Sequence, residues 1–171
     1  MTTIREERPE DFDAVRHVHR LAFGQDAEGR LVDLLREWGG AVVSMVAVDD
    51  ATGAVIGHAL FSRIHIETAA GYVSAMSLAP MAVAPIWQKR GVGSRLVRRG
   101  LDECLAHGEK IVSVLGHAKY YPRFGFSPEL AKPLDGPHAG PEWMALELVP
   151  GALRGVAGKV RYPEAFRVVG A

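Results

Sequence analysis

Cysteine is almost missing from this chain of 171 residues: Cys104 stands alone, so no internal disulfide can form. Charge of one sign is missing too. Lys and Arg number 20, Asp and Glu number 20, and this balance gives the molecule no overall pull toward nucleic acid or an anionic membrane. No run reaches the roughly 18 apolar residues that a bilayer-crossing helix requires. The N-terminal MTTIREERPEDFD is charged from its fifth residue and has no apolar stretch of signal-peptide length. Repeats and low-complexity tracts are absent. No Cys or second ligand pair accompanies His17 and His19, so no metal is expected. The expectation is a soluble cytoplasmic protein, with residues 1–171 as one domain large enough for a substantial core.

What is present centres on Ser77 to Leu105, SLAPMAVAPIWQKRGVGSRLVRRGLDECL. An apolar strand ends at Val83, a short connection holds Pro85, and Gln88-Lys89-Arg90-Gly91-Val92-Gly93 runs directly into a helix. First-turn amides of a helix have no intrahelical partner and sit at the positive end of its dipole, so strand, glycine loop and helix form an anion cradle. Val92, Leu96, Val97, Gly100, Leu101, Cys104 and Leu105 recur on one helical face, with Arg95, Arg98, Arg99, Asp102 and Glu103 on the other. Gly108 ends the helix. Cys104, on the apolar stripe, reads as a buried inert thiol.

Before this stretch, Thr2 to Arg5 is a short strand, and Pro9 to Phe23 a helix started by proline. Asp26 caps a second helix in which Leu31, Leu34, Leu35 and Trp38 line one face, and Gly39-Gly40 stops it. His17 and His19 read as solvated or partly buried. Ala41 to Val48 and Ala54 to Ile66 form a hairpin, followed by Tyr72 to Val83. Pro80 cannot donate to a ladder, so that third strand bulges near its end. After the helix, Lys110 to Leu115 is a strand parallel to Tyr72–Val83, because the helix supplies the crossover. Ala118 to Phe124 is a helical turn and Ser127 to Glu142 a loop; Met144 to Val149 and Gly158 to Arg161 make a final hairpin.

Two motifs add a resemblance. Val83-Ala84-Pro85-Ile86-Trp87-Gln88-Lys89-Arg90-Gly91-Val92-Gly93 resembles the V-x-P-x-x-Q/R-x-x-G-x-G/A signature of the GCN5-related N-acetyltransferases (GNAT), and Tyr121 to Phe126 is similar to their Y-x-x-x-G-F segment. GHAKYYPRFGF with Trp143 to Leu148 resembles the YhbS-like branch of that family, whose acceptors are poorly defined. The resemblance implies a mixed, mostly antiparallel α/β fold whose sheet splays at the cofactor site. It implies acetyl-CoA as cosubstrate and direct acetyl transfer to a primary amine, of a small molecule or a protein, in a ternary complex.

By that resemblance, main-chain groups of Met81, Ala82 and Val83 hold the pantetheine arm, and the Val83 amide stabilises the oxyanion. Gln88, Lys89, Arg90, Gly91, Val92, Gly93 and Ser94 hold the diphosphate, and Arg95, Arg98 and Arg99 are within range of the 3′-phosphate, although a solvated helix face explains at least two of these three. Tyr121 is the general acid by its spacing to Gly125-Phe126, with Tyr120 a competitor. Phe23 to Glu28 flank the acceptor pocket. The base is unassigned: the strand 72–83 holds no carboxylate or histidine, which leaves His58, His65, Glu67 or Glu142 acting directly or through water, or solvent itself. His117 is read as a structural hydrogen-bonding residue with cofactor or acceptor contact as the alternative. The final hairpin offers a homodimer contact.

A dinucleotide fold is excluded because Leu96 stands where its fingerprint needs a third glycine or alanine, and a P-loop because no Gly-Lys-Ser/Thr follows. A non-catalytic module that binds or senses CoA is the remaining rival.

Overall fold

Three valine- and isoleucine-rich stretches form an antiparallel meander, β2 (Ala41–Asp49), β3 (Val55–Thr68) and β4 (Gly71–Val83), and β1 (Thr2–Glu6) lines the outer edge of β2. The computed structural model describes residues 1–170. A single turn (Pro9–Asp11) leads into α1 (Phe12–Phe23), and α2 (Ala27–Glu37) follows. Beyond β4, α3 (Val92–Ala106) crosses back to β5 (Ile111–Leu115), which lies parallel to β4 as the crossover requires. A turn at Tyr121–Phe124, α4 (Pro128–Ala131) and β6 (Leu134–Asp135) precede β7 (Trp143–Glu147), β8 (Gly158–Arg161) and α5 (Glu164–Val168). The sheet order is β1-β2-β3-β4-β5-β7, mixed and mostly antiparallel, with β8 joined to β3 and β6.

Period-two alternation along β3 divides the core between two faces. Ala59 and Phe61 pack with Val92, Leu96, Val97 and Cys104 of α3, whereas Leu60 packs with Val15, Leu31, Val32 and Leu35 of α1 and α2. Gly100 permits the closest approach: a methyl group there would lie 2.2 Å from the Phe61 ring. Cys104 is buried, as its place on the stripe indicates, and burial pushes its thiol up to about 12.

β4 bulges where Pro80 implies. Between Ala59↔Met81 and Phe61↔Leu78 it carries one residue more than β3, at Ala79-Pro80.

Several expectations change. β7 and β8 do not form a hairpin: β7 pairs with β5, while β8 pairs with β3 at His65 to Glu67, beyond Ser62 where β2 stops. β3 outruns β2, and the backbone edge it leaves open recruits β8; the basis for a dimer through a terminal hairpin disappears with it. The 127–142 segment contains α4, whose first amides donate to Ser127 Oγ, as well as β6. Asp26 precedes α2 but does not cap it through its side chain, because its carboxylate is drawn to Arg20. Trp38 and Leu105, expected on apolar helix faces, lie at helix ends and are 54% and 48% exposed. His19, read as solvated or partly buried, is wholly enclosed. No helix among the described residues is long and apolar enough to cross a membrane.

Candidate active site at the end of β4

The Ala84 amide donates to the Ile56 carbonyl at 2.8 Å, which fixes the parity of the strand end. Val83 lies opposite Gly57 and Met81 opposite Ala59. Successive main-chain groups of a strand alternate sides, so the N–H and C=O of Val83 and Met81 face away from β3. Those of Ala82 face His58 in the ladder, so Ala82 has no free amide, unlike the expectation for it. On the other side, the β4–β5 ladder has the pairs Met76↔Val112 and Ser77↔Ser113, and β4 runs on to Val83. The outward Val83 carbonyl accepts from Gln88 Nε2 at 2.9 Å. Gln88 therefore ties the loop to the strand, and its side-chain donor is not turned to an anion.

The loop is built for close approach. Gln88 is extended, Lys89 has φ 63°, Gly91 has φ 83°, and α3 starts at Val92. Left-handed residues two apart turn consecutive amides toward one concavity, to which the first-turn amides of Val92, Gly93 and Ser94 add their positive partial charge. Lys89, Arg90 and Arg95 are exposed around it. Arg98 instead lies over the Phe124 ring, 5.0 Å from its centroid, and Arg99 reaches the Ile4 carbonyl at 3.4 Å.

From the α3 side, two tyrosines approach differently. The Tyr120 hydroxyl lies 3.0 Å from Ser94 Oγ; a methyl group on Gly93 would sit 3.3 Å from that hydroxyl, 3.7 Å from Val83 Cγ2 and 3.8 Å from Met81 Cε. Tyr121 is buried beneath Gly116, edge-on to Phe126, and burial raises its phenol to about 12. Among the described residues its hydroxyl has no hydrogen-bond partner, yet it is not sealed from solvent.

From the opposite side, His58 stands across from Ala82, and its ring meets that of His19 from α1, Nε2 of His19 lying 2.8 Å from Nδ1 of His58. Burial lowers the pKa of both, His19 to about 4, with Arg36 adding repulsion. His58 Nε2 lies 2.8 Å from Ser44 Oγ, which donates to Glu7 at 3.0 Å, and Glu7 is ion-paired with Arg36. Residues 7, 19, 36, 44 and 58 are scattered along the chain, and only the folded sheet gathers them; His58, the one polar side chain in the run 55–61, was the available signal. His65 is exposed against Tyr72, and Glu67 pairs with Arg161, so both lie several residues down β3 from the strand end. Glu142, His117 and His138 line an open cavity of about 380 Å³ at the end of β5. Phe23, stacked parallel on His19 at 6.0 Å, is exposed.

Comparison with known proteins meets this geometry. An acetyltransferase (GNAT) domain model matches residues 3–128. The uncharacterized N-acetyltransferase YhbS of Escherichia coli K12 is 36% identical over 167 residues, covering 95% of this chain and 97% of that protein. YjhQ of the same organism, also an uncharacterized N-acetyltransferase, is 39% identical over 118 residues, which span 69% of this chain and 65% of YjhQ. Among solved structures, E. coli YhbS in complex with CoA superposes with TM-score 0.89 at 34% identity, covering 97% of this chain and 92% of that one. A GNAT acetyltransferase from Brucella melitensis in complex with acetyl-CoA gives 0.81 at 32% identity, covering 97% and 98%.

Proposed function

We propose, for a chain that belongs to the GNAT acetyltransferase family and is by that membership an N-acetyltransferase, that acetyl-CoA lies along the outer edge of the β4 end and gives its acetyl group directly to a primary amine. The observation that carries this is the outward-facing Val83 main chain next to a loop of inward-turned amides. The diphosphate is held by the amides from Lys89 to Ser94, with Arg90 and Lys89 screening its charge. The pantetheine arm fills the place where β4 leaves β5, and Met81 and Val83 give it the hydrogen bonds of an added strand. Two relatives with about a third of their residues identical bind CoA and acetyl-CoA, which supports the same ligand here.

At the reacting carbon, the Val83 amide receives the developing oxyanion, an interaction commonly worth about 3–4 kcal/mol in the barrier. Tyr121 protonates the departing thiolate. Its phenol stays protonated through neutral pH and its hydroxyl is not tied up in another bond. Tyr120 is the second candidate, favoured by the position of its hydroxyl at the loop, but that hydroxyl already engages Ser94. The non-catalytic alternative predicts CoA binding without turnover. Calorimetry with CoA, followed by thiol release from acetyl-CoA over a panel of polyamines, aminoglycosides, amino acids and peptides, separates them. Binding with release supports the transferase, binding without release supports the sensor, and no binding overturns both.

A further inference from the structure

The protonation of the buried chain behind β4 is fixed by its carboxylate. The Glu7 side chain, 5% exposed, pairs with Arg36, and a carboxylate in such a pair only accepts, so the single Ser44 proton must point at it. Ser44 Oγ then accepts from His58 Nε2–H. A neutral His58 therefore presents a bare Nδ1, which accepts from His19 Nε2–H. This leaves Nδ1 of His19 a lone pair, buried and without a partner among the described residues. Burial keeps both rings neutral, as the assignment requires. A buried acceptor without a donor costs free energy unless something with an N–H or O–H fills the place.

We infer that His19 Nδ1 is the proton acceptor for the incoming amine through one buried water, and that His58, Ser44 and Glu7 form the wire that carries the proton away. The inference rests on the acetyl-transfer reading. The placement suits it, because His58 is the cross-strand neighbour of Ala82, between the two residues whose main chain faces outward. Tyr120 and Tyr121 approach from the α3 face and the histidines from the α1 face, so acid and base stand on opposite sides of the strand end. As the amine nitrogen bonds to the acyl carbon and the carbon–sulfur bond breaks, its proton passes to His19 Nδ1. The His19 Nε2 proton shifts to His58 Nδ1, the His58 Nε2 proton to Ser44, and the Ser44 proton to Glu7. Tyr121 supplies the thiol proton, so charge and protons balance. Only His19 touches the bridging water; His58, Ser44 and Glu7 are positioning residues. A ring with a pKa near 4 is a weak base alone, and the carboxylate at the far end, beside Arg36 and its partner Asp33, is what the proton finally reaches.

The test is His19→Gln, whose amide nitrogen can keep the donor toward His58 while nothing replaces the Nδ1 lone pair. With acetyl-CoA and the best amine of the panel, kcat/KM at neutral pH should fall about 10²–10⁴-fold, and the residual rate should climb about tenfold per pH unit as hydroxide takes over. CoA affinity should be unchanged. Histidine nitrogen NMR of the wild-type protein should show both rings neutral with protons on Nε2. A proton on His19 Nδ1, or a variant within twofold of wild type at every pH, overturns the inference and leaves the transferase reading intact. Absence of thiol release by the wild type overturns the transferase reading, and the base assignment with it, whereas the NMR result still reports the lone pair.

Discussion

Tyr120 and Ser94 meet hydroxyl to hydroxyl at 3.0 Å, at the first turn of α3, while Tyr121, the next residue, turns under Gly116. The two phenols therefore have separable roles. Tyr121→Phe should lower kcat about 10²-fold or more with little change in CoA affinity. Tyr120→Phe should weaken CoA binding by a few-fold and leave most of kcat. Steady-state thiol release and calorimetry on both variants check this; the reverse pattern would make Tyr120 the acid.

The glycine loop makes a steric prediction. A side chain at Gly93 would meet the Tyr120 hydroxyl, Val83 and Met81 at 3.3–3.8 Å, filling the space through which a ligand reaches the strand end. Gly93→Val should keep the fold and weaken CoA binding at least tenfold by calorimetry. Gly91→Ala adds the strain of a left-handed φ of 83° and should cost about 1 kcal/mol in urea unfolding.

Gly100 tests packing away from the site. Its added methyl group would come 2.2 Å from the Phe61 ring, and both face the α3 core. Gly100→Ala should destabilise the protein by about 1–3 kcal/mol, read as a lower urea midpoint, despite alanine's better helix propensity.

The histidine pair sets an acid limb for stability. Its folded pKa values lie below the ordinary 6.5, to about 4 for His19, so the unfolded chain binds more protons as pH drops below 6.5. Stability is thus complete above pH 6.5 and falls as pH drops toward 4. Between pH 6.5 and 5 the His19 share is on the order of 2 kcal/mol. Urea unfolding should show this decline, and His19→Gln should flatten part of it; an equally steep decline in the variant would contradict the assignment.

Cys104 should resist alkylation in the native protein. Its thiol is buried and raised to about 12, mainly by desolvation. Iodoacetamide at pH 8 should label it only in denaturant.

Much of this was legible in the chain because it depends on local pattern. The two periodicities set β2 to β5 and α1 to α3, Pro80 marked the bulge, and Gly91 and Gly93 marked the loop. Misreadings came where a long-range partner decides. β8 joins β3 because β2 ends early, and Asp26 turns to Arg20 instead of the helix behind it. Gln88, counted among the anion donors, bonds the Val83 carbonyl that the strand's parity turns toward it.

By itself, then, the order of residues determined the elements, their sequence of pairing in the meander, and the loop of amides, since each follows from backbone preferences and apolar spacing within a few neighbours. Only the tertiary structure decided which main-chain groups of β4 face outward, and which of two adjacent tyrosines is free. It also decided that His19, His58, Ser44 and Glu7 form one line of hydrogen bonds. Those residues come from four separate segments, and the direction of a proton along them is set by a carboxylate that can only accept. No local pattern encodes that; it exists once the sheet and α1 close over the same buried space.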